Sequence, residues 1–173
     1  MNSYTPNEER GGTTMRAQPI HQISRKGLTV WRLYGVIQTL VLLVVAGLVS
    51  YGTYYFEWPS FIYFIACAIV LLSAILSIFI FPKIRWERWR YEVREHEIEV
   101  QHGLFVVKRT LIPMVRVQHV DTTQGPILKK YDLGNISIST AATVHTIPAL
   151  VMDEADVLRA RISDLARVAE DDV

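Results

Sequence analysis

Two long uncharged runs dominate the sequence and limit what the chain can fold into. Gly35 to Phe56 and Ser60 to Phe81 each have 22 residues without a charged side chain. At a rise of about 1.5 Å per residue, a helix of that length extends roughly 33 Å, enough to cross the hydrocarbon core of a bilayer. Glu57, Trp58 and Pro59 separate the runs by too few residues for a domain. The sequence therefore predicts a helical hairpin in a membrane, with spans at about 35–56 and 60–81.

A buried pair of helices in a soluble protein is the alternative to this hairpin. The ends of the runs argue against it, because they carry the aromatic and basic residues that collect at membrane interfaces. The aromatic residues there are Trp31, Tyr34, Tyr54, Tyr55, Trp58, Trp86 and Trp89. The basic residues of the outer flanks are Arg25, Lys26, Arg32, Lys83, Arg85, Arg88 and Arg90. Since the loop between the spans has Glu57 and no basic residue, we expect a multi-pass protein with both termini in the cytoplasm.

The first residues and the overall charge exclude several classes of protein. Residues 1–24 mix Pro, Gly, Ser, Thr and Asn with few apolar residues, which is typical of a flexible cytoplasmic tail. They do not form a secretory signal peptide, so we expect the first span to stay as an anchor. The net charge of +1 indicates no whole-chain preference for nucleic acid. The single cysteine, Cys67, cannot form an intramolecular disulfide.

After the second span, alternating apolar and polar residues predict half-buried strands. We assign residues 25–85 to the hairpin and residues 86–173 to a cytoplasmic domain. The alternation gives strands at 89–94, 97–101, 104–112 and 115–123. Pro113 ends the third strand because it has no amide hydrogen for a ladder. The connections are too short for crossover helices, which predicts an antiparallel meander.

The last part of the domain contains a break, two more strands and a helix. Gly125 and Pro126 interrupt the sheet, residues 127–133 form a turn or helical loop, and residues 136–139 and 144–147 form strands, the second closed by Pro148. A helix follows, with Asp153 as its N-cap. Its apolar stripe is Ala155, Leu158, Ile162, Leu165 and Ala169. The predicted fold class is a membrane α-helical hairpin plus a β-rich domain, an antiparallel curved sheet or half-barrel capped by a C-terminal helix.

This order of elements is similar to the pleckstrin-homology (PH) superfold, and four sequence blocks strengthen the resemblance. The blocks are Ile112-Pro113, Arg116 to Val120, Gly125 to Gly134 and Ser139 to Ala142. They resemble the bacterial PH-like, membrane-flanked domain family, in particular its short YdbS-like members with one hairpin and one domain. The resemblance covers roughly residues 32–165, and Asp132 departs from it, so we expect a different turn there. It implies a bacterial inner-membrane protein with no assigned catalytic chemistry, and a larger paralogue with repeated domains as partner.

No group of residues in the sequence forms a recognisable catalytic or metal-binding motif. The histidines His96, His102, His119 and His145 lack compact ligand spacing, and we interpret them as exposed strand or turn residues. His119 and Asp121 are expected to share one strand face. The serines lack a nucleophile elbow, and the glycines are too scattered to cradle a phosphate. We therefore predict no enzyme, no metal and no cofactor.

Two sets of residues are candidate contacts for a partner or a lipid. The basic set is Lys108, Arg109, Arg116, Lys129 and Lys130, and the 125–134 segment adds Ile127, Leu128 and Tyr131. Long irregular connections more often carry recognition than packing, although these apolar side chains would equally plug the open end of the half-barrel. The basic residues suit anionic headgroups, and a solvated strand face is the alternative.

We interpret the chain as a non-enzymatic module, anchored in the membrane, that assembles with itself or with a larger paralogous membrane protein. The expected setting is envelope stress or antimicrobial resistance. The alternative function is anionic-lipid binding, or a subunit of a lipid or peptide export complex. The expected partners are the lipid bilayer, the paralogue or a homo-oligomer, and anionic lipid headgroups, but not nucleic acid.

Overall fold

The computed structural model describes residues 18–171, which form a long helical hairpin and a two-sheet domain. The helices are α1 (Arg25–Tyr55), α2 (Phe61–Ala74), α3 (Phe81–Arg88), α4 (Pro126–Lys130) and α5 (Met152–Asp171), with a π-helical segment at Ile75–Ile80 and a 3₁₀ turn at Met114–Arg116. The strands are β1 (His21–Gln22), β2 (Arg90–Val93), β3 (Glu97–His102), β4 (Lys108–Pro113), β5 (Val117–Thr123), β6 (Leu133–Thr140) and β7 (Val144–Val151). Most of the predicted tail, residues 1–17, lies outside the described residues.

The hairpin contains two helices that are long and apolar enough to cross a membrane. The first is α1, and the second runs from Phe61 to Arg88 through α2, the π-helical segment and α3. Few side chains of the apolar stretches are buried inside the protein, as expected of surfaces that face acyl chains. The predicted hairpin is confirmed, and α1 begins well before the predicted span, at Arg25.

The two long helices approach each other closely at Gly35. A Cβ atom at this position would collide with the backbone carbonyl of Ser77, so only glycine fits without a shift. Thr39 Oγ1 donates a hydrogen bond of 2.8 Å to the carbonyl of Gly35 and lies 3.5 Å from Ser77 Oγ. Ser77 belongs to the π-helical segment, so the irregular turn of the second helix lies at this crossing.

Two antiparallel sheets form the domain, in the orders β1-β2-β3-β4 and β5-β6-β7. The predicted continuous meander is therefore wrong at one point, because the chain changes sheets between β4 and β5. Pro113 has no amide hydrogen to continue the ladder, and the 3₁₀ turn after it buries Met114 in the core. The predicted third strand also starts too early, since residues 104–107 form a loop.

The residues just before the hairpin belong to the domain rather than to a tail. His21 and Gln22 pair with Tyr91 and Arg90 as an edge strand, and Ile23 is 2% exposed in the core. The predicted tail boundary at residue 24 is wrong for these positions. A two-residue strand shows no alternation in the sequence, and the whole hairpin separates it from its partner. The hairpin is thus an insertion between the first two strands of a sheet.

The first turns of α1 also pack against the domain. A Cβ atom on Gly27 would lie 2.6 Å from the Cβ of Ala149 in β7, so the helix and the strand are in close contact. The amide of Ser24 donates a hydrogen bond of 3.2 Å to the carbonyl of Ala149. At the other end of the hairpin, Trp86 Nε1 donates a hydrogen bond of 3.2 Å to the carbonyl of Ile23. Both ends of the hairpin are therefore fixed to the same domain.

Strand β7 continues through Pro148, where the sequence predicts its end. The ladder with β6 shifts register between Gly134 and Ile136, which leaves Pro148 in a bulge where no amide hydrogen is needed. Asn135 Oδ1 accepts a hydrogen bond of 3.0 Å from the amide of Ala149, whose φ is 54°. A side-chain amide thus replaces the missing backbone acceptor, and the strand extends to Val151.

Helix α5 closes the domain with the predicted apolar stripe. Ala155 and Ile162 are fully buried, and the other three stripe residues are half-buried against the same core. Both sheets supply the remaining core, chiefly Ile98, Ile112, Ile136, Ile138, Ile147 and Leu150. The helix starts at Met152, so Asp153 lies in the first turn instead of capping it. Its charge there still suits the positive end of the helix dipole.

Candidate functional site

The 125–134 segment contains α4, a turn and the start of β6, and its apolar side chains pack against the base of the hairpin. Leu128 is 9% exposed and lies in one cluster with Val30 of α1 and Ala149 of β7. Ile127 and Tyr131 are half-buried against the same cluster. Three of the candidate contact residues therefore hold the hairpin and the domain together, which leaves little of their apolar surface for a partner.

Lys129 and Lys130 are the exposed part of this segment. They end α4, and the following turn places Asp132 at a φ of 57°. Asp132 is the residue at which the sequence departs from the family blocks, and a short polar side chain tolerates this left-handed conformation. Its carbonyl accepts a hydrogen bond of 3.2 Å from the amide of Met152, so the turn connects α4 to the start of α5.

Arg109 belongs to a cluster of ion pairs on the first sheet. Its Nε donates a hydrogen bond of 2.8 Å to Glu99, whose side chain is almost completely buried. Arg94 lies 3.6 Å from the other carboxylate oxygen of Glu99 and 3.0 Å from Glu92. The hydrogen bond from Arg94 lowers the pKa of the Glu92 carboxyl. Arg109 neutralises a buried carboxylate, and its loss would leave that charge poorly paired.

Arg116 lies on a separate groove where β4 ends and β5 begins. The groove has a volume of about 470 Å³, and Leu111 and Val115 line it with 45% and 51% of their surfaces exposed. Lys108 lies at the opposite end of β4 from Pro113, which is about 17 Å away at a rise of about 3.3 Å per residue. The five predicted basic residues therefore do not form one continuous surface.

The structure brings together residues at the base of the hairpin that the sequence does not link. They line a cavity of about 620 Å³ between the hairpin and the domain, here called the junction cavity. Its lining is Trp31, Tyr34, Gly35, Gln38, Ser77, Phe81, Pro82, Arg85, Trp89, His102, Gly103 and Leu104. The lining contains two basic side chains, Arg85 and His102, together with several aromatic rings and no acidic residue.

Stacking on tryptophan rings positions both basic side chains of the cavity. The guanidinium carbon of Arg85 lies 4.4 Å from the ring centroid of Trp31. The His102 ring stacks on Trp89 with centroids 5.6 Å apart. A guanidinium held over a ring face keeps its N–H groups free at the edge, where they can donate to an anion.

His102 lies among other basic groups. Burial lowers the pKa of its imidazole, and the charges of Lys108, Arg85 and His145 lower it further. A second cavity of about 290 Å³ shares Arg85 and His102 with the junction cavity and adds His145 to its lining. The prediction of an exposed turn histidine is therefore wrong for His102.

The described part of the chain also shows where the histidines and carboxylates considered for a metal site lie. Among the side chains described, those of residues 18–169, no group of three or more His, Cys, Asp or Glu is placed to hold a metal ion. His119 and Asp121 share a strand face as predicted, with 3.6 Å between Nε2 and Oδ2. The sequence predicts Arg85 and the tryptophans at the membrane interface but does not link them to one another. Their meeting with His102 depends on how α3 packs against β3, which has no local signal.

A membrane-spanning apolar hairpin joined to an antiparallel two-sheet domain and a closing helix defines a membrane protein with a PH-like domain. The profile of the bacterial PH domain family matches residues 29–166. The chain therefore belongs to the bacterial PH domain family, and the predicted fold class is confirmed.

Two proteins of Bacillus subtilis (strain 168) are similar to the chain. The UPF0699 transmembrane protein YdbS is 58% identical over 159 residues, which are 92% of this chain and 100% of that protein. The UPF0699 transmembrane protein YdbT is 28% identical over 80 residues, which are 44% of this chain and 16% of that protein. No solved structure matches the chain. These relatives confirm the predicted YdbS-like family and the location in a membrane.

Proposed function

We propose that the chain is a non-enzymatic, membrane-anchored PH-like module that assembles with a longer paralogous membrane protein. One observation carries the proposal: of two relatives in one organism, the first is matched along its full length and the second over only 16% of its length. The longer relative thus contains a segment related to this chain. A contact between two related folds is similar to the self-complementary interfaces of most oligomers.

The groove around Arg116 is the surface that we assign to this contact. Within the described residues 18–171, β4 pairs with β3 alone and β5 with β6 alone, so each strand has one edge without a partner there. Free edges and exposed aliphatic side chains such as Leu111 and Val115 are the features that a second β-rich domain can cover. Assembly with a second copy of this chain is the competing outcome of the test.

Co-purification from native membranes tests the contact. A tagged full-length chain is expected to retain the longer paralogue in a fixed ratio. Val115→Glu should reduce that recovery about tenfold, because a charge in an apolar contact must be desolvated. Val157→Glu is the matched control, since Val157 is 70% exposed on α5, away from the groove. Recovery of the chain without a stoichiometric partner, or equal loss in both variants, would contradict the proposal.

Lys129 and Lys130 remain a second candidate docking surface. The double variant Lys129→Glu with Lys130→Glu should change the free energy of unfolding by no more than about 0.5 kcal/mol, as surface substitutions usually do. Arg161→Glu with Arg167→Glu makes the same charge change on α5 as a control. Loss of the paralogue from the Lys129→Glu, Lys130→Glu variant alone would show that the contact lies on α4 and not on the groove. Unchanged recovery in both would remove α4 from the interface.

The topology and the cellular role belong to the same proposal. Basic residues on both outer flanks favour cytoplasmic termini in the bacterial inner membrane. Reporter fusions at Ser3 and Val173 should both report the cytoplasm, whereas a fusion at Trp58 should report the outside. We expect loss of the chain to sensitise cells to envelope stress or to antimicrobial compounds. Opposite locations of the two termini would contradict the hairpin topology.

A further inference from the structure

We propose that the junction cavity binds the headgroup of an anionic phospholipid, with Arg85 and His102 as the contacts of its phosphate. The site is separate from the groove and from α4. It adds a lipid ligand to the proposed assembly role and does not depend on that role.

The position of the cavity requires a ligand with a polar and an apolar part. Gln38 and Ser77 line it from the hairpin, at and just beyond the close approach at Gly35, whereas His102 and Leu104 line it from the domain. The cavity therefore lies at the boundary between the apolar spans and the polar domain. In a bilayer this boundary is the level of the phospholipid headgroups.

The loop after β3 places the domain against the same boundary. Phe105 and Val106 are 80% and 81% exposed, which is unusual for large apolar side chains facing water. The Phe105 ring packs edge-on against Phe81, at the end of the apolar run, with centroids 6.4 Å apart. Arg88 donates a hydrogen bond of 2.6 Å to the carbonyl of Leu104 and so fixes the loop. An apolar loop continuous with a transmembrane helix is suited to the bilayer surface, so the adjoining cavity opens to lipid.

The charge of the cavity selects an anion. Among the side chains of residues 18–169, Arg85 makes a stacking contact with Trp31 and no ion pair with a carboxylate. Lys108 adds positive charge near His102, and no residue lining the two adjoining cavities is acidic. Several basic groups close together repel one another, and a bound phosphate would relieve this repulsion. A zwitterionic headgroup offers less relief, because it brings its own positive charge.

Lipid retention by the full-length chain tests the site. The protein is incorporated into vesicles of mixed phosphatidylglycerol and phosphatidylcholine, extracted in mild detergent, and its bound lipids are counted by native mass spectrometry. We expect retained phosphatidylglycerol in excess of its share in the vesicle. Arg85→Gln should lower that retention about tenfold, the cost of one hydrogen bond between charged groups. Lys83→Gln is the matched control, because Lys83 is exposed on the same helix and does not line the cavity.

The remaining outcomes either support or overturn the proposal. Equal losses in Arg85→Gln and Lys83→Gln, or no preference for phosphatidylglycerol, would overturn it, since general attraction to a charged surface would then explain retention. Displacement of the lipid by inorganic phosphate alone would identify a free-phosphate site instead. Near-ultraviolet circular dichroism confirms that each variant is folded. If Arg85→Gln does not fold, His102→Gln takes its place, and phosphatidylglycerol retention equal to that of the unmodified chain then overturns the proposal.

Discussion

The two parts of helix α1 face different surroundings, although they form one continuous element. Near its start, Gly27 and Val30 are buried against the domain. After Gly35, side chains such as Leu40 and Leu48 are 58% and 67% exposed, which in water would be a large apolar patch. The same helix is therefore a core element at one end and a membrane span at the other. The hairpin is a rigid extension of the domain rather than a tether.

Short connections join the hairpin to the domain on both sides. The second helix leads into β2 with only Trp89 between them, and β1 leads into α1 through Ile23 and Ser24. Neither connection is long enough to act as a flexible linker. The domain is therefore held in a fixed orientation relative to the hairpin. The junction cavity, which both parts line, therefore has a fixed place at the base of the hairpin.

The largest effect is expected where the segment before the hairpin enters the core. Ile23→Ala should destabilise the folded chain by about 2–4 kcal/mol, because it removes buried methyl groups and leaves a cavity. Ile37→Ala, in the part of α1 that faces lipid, should change stability by no more than about 0.5 kcal/mol. Denaturant unfolding of the full chain in detergent, followed by near-ultraviolet circular dichroism, measures both. Equal effects would mean that β1 is not part of the domain.

The sequence predicts elements whose periodicity is long and regular. The two spans, the stripe of α5 and the strands with clear alternation follow from residue type alone. Strand β1 is missed because its two residues pair across the whole hairpin, and the end of β7 because Asn135 compensates for Pro148 from another strand. These are contacts between distant residues that no local pattern encodes.

The candidate site is predictable from the sequence only in part, because it too depends on contacts between distant residues. The sequence identifies α4 as an irregular connection, but it does not reveal that Leu128 packs on Val30. It identifies basic and aromatic residues near the membrane, but the stacking of Arg85 on Trp31 depends on how the two helices meet. Residue type thus gives the chemistry available at the interface, and tertiary packing decides which groups converge.

A smaller effect is expected at the crossing that separates the two parts of α1. Gly35→Ala introduces a Cβ against the carbonyl of Ser77 and should destabilise the hairpin by about 1–3 kcal/mol. Gly47→Ala is the matched control within the span, because a Cβ atom there would meet no neighbouring element within 4 Å and alanine is a better helix former. Thermal unfolding in lipid nanodiscs compares the two. A Gly35→Ala chain as stable as the control would show that the helices do not touch there.

The smallest expected effect is the pH dependence of stability that arises from His102. A bound anionic lipid should change this dependence. The pKa of His102 is lowered in the folded chain by burial and by Lys108, Arg85 and His145. The unfolded chain therefore takes up this proton at higher pH than the folded chain does. The contribution of His102 to the free energy of unfolding is fully present above the ordinary histidine pKa of about 6.5. It is lost as the pH falls through the lower pKa that His102 has in the folded chain. In detergent without anionic lipid, His102→Gln should flatten this part of the stability curve. Phosphatidylglycerol should weaken the dependence in the unmodified chain, because a phosphate beside the imidazole raises its pKa. A curve that the lipid leaves unchanged would separate His102 from the headgroup site.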